Sequence, residues 1–211
     1  MKTYKFVFSP IDVNTYILAD SSGDCAIIDC GCYNKNEFER LESFIKDKNF
    51  NPVLLLNTHC HLDHIFGNRF MLDRYSLKTF SSEYEEPNRK NSVKHAMFFG
   101  LTMDNPPEPA GFLVDNQVVT FGTTELVALH VPGHAPGSLA FYNEKNDCVF
   151  TGDALFEGSI GRTDLPGGDY ETLIESIRSK LFILPQSTVV YPGHGNETTI
   201  AEEMKSNPYL S

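Results

Sequence analysis

A membrane-crossing helix needs an uninterrupted apolar run of about 20 residues, and no stretch of this sequence approaches one. A secretory core is missing as well. In the opening segment MKTYKFVFSPIDVNTYILAD, the residues Ser9, Pro10, Asp12 and Asn14 interrupt the apolar positions, so the expected compartment is the cytoplasm, with no membrane partner. Positive charge is scarce. Seventeen Lys and Arg stand against 28 Asp and Glu, a net charge of −11 with no basic patch, which would repel RNA or DNA; no nucleic-acid partner is expected. C-x-x-C pairs are absent too. The odd set of five cysteines (Cys25, Cys30, Cys32, Cys60, Cys148) therefore reads as reduced thiols, and Cys30 and Cys32, around Gly31, as small residues at a strand end. There is neither an internal repeat nor a low-complexity tract.

What remains is a chain of 211 residues, 41% hydrophobic and 21% charged, able to bury a substantial core as one domain over 1–211. Residues 3–8, 14–19 and 24–29 read as short strands separated by turn signals at Ser9-Pro10 and Ser22-Gly23. Asn36 to Lys48 predicts an amphipathic helix with Phe38, Leu41, Phe44 and Ile45 on one face. The apolar run 53–57 reads as a strand covered on both faces. A helix is expected over 65–75, strands at 117–121, 125–131, 138–142, 148–151 and 188–191, and helices over 170–184 and 198–204. The segment 82–110, with a helix over 91–101 and then Pro106, Pro107 and Pro109, reads as an insertion or lid. This alternation suggests two mixed sheets packed together, with helices outside.

The segment Thr58-His59-Cys60-His61-Leu62-Asp63-His64 carries the most chemistry. Side chains two apart on extended backbone point the same way, so His59 and His61 converge on one ion, while Cys60 turns to the opposite side. Asp63 and His64 fall where the chain bends into a helix, aimed at a second position nearby. Neutral imidazole and carboxylate are ligands zinc prefers. Three later segments repeat one pattern, an apolar strand followed by a small or rigid residue and then a ligand-type side chain: His134 after Val131-Pro132-Gly133, Asp153 after Thr151-Gly152, and His194 after Pro192-Gly193. His95 and His130 fit a structural role better.

In order and spacing, H-x-H-x-D-H, the two P-G-H turns and the T-G-D strand end resemble the metallo-β-lactamase superfamily over essentially the whole chain. The resemblance implies an α/β fold, a four-layer αββα sandwich of two mixed β-sheets with metals at one edge. It implies that His59, His61 and His134 bind one divalent ion, that Asp63, His64 and His194 bind the other, and that Asp153 bridges them. It also implies that Asp29 orients a ligand histidine. The segment from Gly158 to Gly168 and the ending around Gly193–Ile200 are similar to the short glyoxalase II-like branch. The chain is expected to lack the helical C-terminal domain with which classical members grip glutathione.

These readings predict a dinuclear hydrolase using two divalent ions, zinc foremost with iron or manganese as alternatives. Asp63 and Asp153 would serve the chemistry as well as the metals, with Arg162 as the substrate-facing cation or a brace of its own loop. A small-molecule thioester of the S-lactoylglutathione type suits the site, because a thiolate departs without a strong general acid whereas an amide nitrogen must be protonated. The alternative on the same fold is a mononuclear iron persulfide dioxygenase. A lactonase and a non-catalytic binding module rank below both.

Overall fold

The computed structural model describes residues 1–210. Its first sheet is built from β1 (Lys2–Phe8), β2 (Val13–Ala19), β3 (Asp24–Ile28), β4 (Asn51–Leu56), β5 (Thr79–Ser81) and β6 (Gly111–Phe112), in that order across the sheet. Strands β1 to β3 form an antiparallel meander, and β3 to β6 run parallel. The second sheet takes β7 (Gln117–Phe121), β8 (Thr124–His130), β9 (Leu139–Asn143), β10 (Cys148–Gly152), β13 (Val189–Pro192) and β14 (Thr198–Thr199). Between β10 and β13 lies a small hairpin of β11 (Leu155–Phe156) and β12 (Ser159–Ile160).

Strand alternation distributes the side chains over four layers. On β2, Tyr16 and Leu18 point between the sheets while Ile17 and Ala19 point outward. On β10, Cys148 and Phe150 enter the same central layer and Val149 leaves it. Tyr16 meets Phe150 edge-on at 5.2 Å across the sandwich. The outer face of the first sheet is covered by α1 (Lys35–Asp47) through Leu41 and Ile45, and by Met71. The outer face of the second is covered by α5 (Tyr170–Ser176) and α6 (Ile200–Ser206) through Leu173, Ile174 and Ile200. The expected αββα sandwich of two mixed sheets is what the chain forms. Asn34, Asp169 and Thr199 each cap the first turn of the helix that follows, accepting from the backbone N–H of Glu37, Thr172 and Glu202.

Three elements differ from the sequence expectation. The helix over 65–75 is split into α2 (Leu62–Ile65) and α3 (Asn68–Tyr75), because at Gly67 the backbone presses on Cys30: the Gly67 N–H donates to the Cys30 carbonyl at 2.8 Å, and a Cβ there would collide with Cys30. The helix expected over 91–101 is α4 (Glu86–Phe98), which starts five residues earlier with Pro87 in its first turn, where a missing N–H does no harm. After α5 the chain continues as a π-helical stretch over Ile177–Leu181. Among the described residues no helix is long and apolar enough to cross a membrane.

Candidate metal centre

Strands β3 and β4 run the same way, as do β8, β10 and β13, so their C-terminal ends gather at one edge of the sandwich. Each end delivers one predicted segment: Asp29 after β3, the 58–64 run after β4, His134 beyond β8, Asp153 after β10 and His194 after β13. Close approach there depends on two glycines. At Gly193 a Cβ would strike Asp153 Oδ1 and the His64 ring. Gly152 adopts φ +51°, a left-handed conformation that glycine takes without strain, and a Cβ on it would hit Thr58.

All seven predicted ligand residues come together. His59, His61 and His134 form one cluster, and Asp63, His64 and His194 another; within each the donor atoms lie within 4.8 Å of one another, and Asp153 joins His59 and His64 in a third such group. His134 Nε2 sits 2.8 Å from His61 Nδ1 and 3.2 Å from His59 Nε2. His134 Nδ1 donates to the Arg162 carbonyl at 2.8 Å, which turns Nε2 towards the other imidazoles. His194 likewise donates from Nδ1 to the Asp12 carbonyl (3.1 Å) and turns Nε2 towards Asp63 Oδ2, 3.1 Å away. Asp153 lies between the clusters, with Oδ1 3.3 Å from His64 Nε2 and Oδ2 3.6 Å from His134 Nε2.

Asp29 behaves as a strut. It holds a left-handed backbone (φ 52°), uncommon for a non-glycine residue. Its Oδ1 accepts from the Thr58 N–H at 2.8 Å, and its Oδ2 accepts from Thr58 Oγ1 at 2.6 Å and faces His64 Nδ1 at 2.9 Å. His64 is thereby fixed with Nε2 aimed at Asp153.

Electrostatics divides the imidazoles. Burial, reinforced by the neighbouring rings, drives His59 far below its ordinary 6.5. Burial and His134 bring His61 down to about 3. Burial opposes a charge on His64 too, but the carboxylates of Asp153, Asp63 and Asp29 outweigh it and hold the group well above 6.5. His194 is raised in the same manner, its hydrogen bond to Asp63 overcoming desolvation. Asp63 and Asp153, although buried, are held below the usual carboxylate range by His64.

The cluster fits a divalent cation on its own geometry. His64 Nε2 and Asp153 Oδ1 are buried without any hydrogen-bond partner, and imidazole nitrogens face one another at hydrogen-bond distance. A buried polar atom left unpaired costs free energy, and a cation satisfies lone pairs that no donor reaches. Nitrogen and carboxylate donors suit zinc, iron and manganese alike.

Arg162 lies at the rim with its guanidinium 2.7 Å from each oxygen of Asp164, so its loop-bracing role is realised in addition to its place on the cavity lining. His130 is structural: its Nε2 meets the Pro136 carbonyl at 3.0 Å and its ring stacks on Tyr84. Cys60 is buried behind the ligands. Sequence reasoning missed three contributors. Glu85 is fully buried and accepts from the backbone N–H groups of Cys60 and Gly137; within the acidic run Glu83–Glu86 nothing sets it apart. His95 and the pair Phe98–Phe99 line a cavity of about 640 Å³ whose floor includes His61, Asp63, His134, Asp153 and His194. Within the 82–110 segment, residues of α4 and Phe99 just beyond it thus wall the site.

Comparison with known proteins agrees with this geometry. The model of the metallo-beta-lactamase superfamily matches residues 9–194. A probable metallo-hydrolase of Bacillus subtilis, YqgX, is 38% identical over all of this chain and 98% of its own length. The hydroxyacylglutathione hydrolase GloC of Haemophilus influenzae is 37% identical over 94% of this chain and 92% of its own. The crystal structure of TTHA1623 in a di-iron-bound form superposes with a TM-score of 0.89 at 33% identity, covering 98% of this chain and 100% of that one.

Proposed function

The chain belongs to the metallo-β-lactamase superfamily, and from that premise we propose that it is a hydrolase working with two divalent cations, zinc foremost, on thioesters of the S-lactoylglutathione type. His59, His61 and His134 would hold one cation and Asp63, His64 and His194 the other, with Asp153 spanning the two and Asp29 orienting His64. Bound there, divalent cations supply a Lewis acid for a carbonyl oxygen and make water acidic enough to serve as a nucleophile near neutral pH. The observation that carries the reading is the pair of His/Asp clusters, with His64 Nε2 and Asp153 Oδ1 unpaired, on the floor of an open cavity.

The protein's own groups narrow the reaction. Neutral His59 and His61 present lone pairs rather than protons. Asp63 is ionised, so Oδ2 accepts a proton and has none to give. Every histidine on the floor is assigned as a ligand, so none of these is free to protonate an amine as it departs. A leaving group that is stable as an anion is therefore favoured, and a thiolate is one. The likeness to a hydroxyacylglutathione hydrolase supports the same class.

The test combines elemental analysis with turnover. Metal-loaded protein is expected to hold two cations per chain and to hydrolyse S-lactoylglutathione, with His59→Ala and Asp153→Ala abolishing both turnover and full metal loading. Negligible turnover at millimolar substrate removes the glyoxalase II assignment. One iron per chain with persulfide-dependent oxygen uptake replaces it with the dioxygenase.

A further inference from the structure

Part of the cavity lining is apolar and exposed. Phe98 and Phe99, at the end of α4, are 85% and 58% exposed, set edge to face at 5.4 Å, whereas aromatic side chains ordinarily gain by burial. Ile11, 40% exposed, and Leu165 and Pro166 beyond Arg162 continue the same wall. Lysine and arginine are scarce on the lining. The one lysine or arginine on the lining is Arg162, and its fork is taken up by Asp164. A peptide thiol such as glutathione brings carboxylates that this wall does not pair, into a protein of net charge −11.

We propose that the Phe98–Phe99 wall is a subsite for an uncharged apolar or aromatic group beside the scissile carbonyl, which among thioesters favours an apolar thiol over a charged peptide thiol. The proposal rests on the thioester hydrolase reading. The wall adjoins the metal floor within one cavity, so a substrate whose carbonyl sits over Asp153 extends its next group along these rings. Burying that group removes two exposed phenyl faces from water together with the ligand's own surface.

The experiment keeps the lactoyl group and changes the thiol. Metal-loaded protein is assayed with S-lactoylglutathione and with the lactoyl thioester of benzyl mercaptan, in unsubstituted protein and in a Phe98→Ser/Phe99→Ser double variant. Both side chains are exposed, so their removal opens no core cavity; circular dichroism and metal content confirm folding. In parallel, calorimetry follows binding of a benzyl thioether ketone, in which a methylene separates sulfur from the carbonyl, to metal-free and metal-loaded protein. The expected result is a kcat/KM for the benzyl thioester at least about tenfold above that for S-lactoylglutathione, the scale on which apolar pockets discriminate. The double variant should shrink that ratio towards one, and the thioether should bind with a negative heat-capacity change that the variant loses. A ratio that the double variant leaves unchanged, or a preference for S-lactoylglutathione, overturns the subsite. Thioether binding without turnover of either ester overturns the hydrolase reading and upholds the subsite.

Discussion

Glu85 shows how much one buried carboxylate can organise. Its Oε2 accepts from the Cys60 N–H at 2.8 Å and from Asn88 Nδ2 at 2.9 Å, and its Oε1 from the Gly137 N–H at 2.8 Å. Cys60 lies between His59 and His61, and Gly137 three residues beyond His134, so a single side chain ties together both segments of the first cluster. Replacing it with alanine strands three buried donors. With partial relaxation, Glu85→Ala should cost about 3 kcal/mol, towards the low end of what three unpaired groups sum to. Metal affinity should fall about tenfold or more, as when the groups behind ligands are removed elsewhere. Glu85→Gln keeps an acceptor oxygen but turns an amide N–H₂ on a donor, and should fall between. Thermal unfolding of metal-free protein and competition against a chelator measure the two effects. A chelator titration indistinguishable from that of unsubstituted protein would deny the carboxylate any part in the centre. The ligands were legible in the sequence because chelation imposes local spacing, as in His59-x-His61-x-Asp63-His64. Glu85 was not, because its role is defined by donors 25 and 52 positions away.

At the level of elements, legibility followed length and alternation. Strands β2 and β8 stand out because four consecutive side chains alternate between two apolar layers, while β5, β6 and β14 are two or three residues long and are fixed only by their neighbours in the sheets. Helix α4 was displaced in the reading because its anchoring is polar. Arg89, 8% exposed, donates from Nε and Nη2 to Glu86 at 2.6 and 3.0 Å and from Nη2 to Glu108 at 2.8 Å, which pins the Pro106–Glu108 stretch against the helix. Hydrogen bonding to Arg89 is the leading cause that brings Glu86 down to about 2, below its ordinary 4.5. A carboxyl depressed on folding contributes stability that is in place above pH 4.5 and lost as pH falls towards 2. Amide hydrogen exchange in α4 should therefore accelerate selectively, relative to α1, across that acid window. Arg89→Met should cost about 2 kcal/mol, less than a fully buried broken pair, because Lys90 still reaches Glu86 at 2.9 Å. It should also flatten most of the acid response. An α4 that exchanges no faster at low pH than α1 would remove the pair from its anchoring role.

For the molecule as a whole, the sandwich and the centre are one construction: strands packed through Tyr16, Phe141 and Phe150 bring their ends to a common edge where charges must then be balanced. In the metal-free protein that balance is struck with protons. His64 and His194, raised on folding, contribute stability that is complete below pH 6.5 and fades as pH climbs through their folded values. His59 and His61, lowered on folding, act in the opposite sense, contributing stability above pH 6.5 that is lost on acidification, for His61 on the way down to about 3. Divalent cations need every ligand imidazole neutral, and the protons that folding holds in place sit on the second cluster, on His64 and His194. Metal affinity should therefore rise with pH, and calorimetry in buffers of different ionisation heats should show net proton release on binding. The gap in Tm between zinc-loaded and metal-free protein, about 4 kcal/mol in stability when free metal is a thousandfold above Kd, should narrow as pH is lowered from about 8 to about 6. Asp29→Asn removes one of the carboxylates that hold the proton on His64, so it should reduce proton release while weakening the metal's grip through a less firmly oriented ring. Proton release that is zero at neutral pH, or unchanged in Asp29→Asn, would mean that His64 is already neutral before the metal arrives and that the two clusters do not differ in charge.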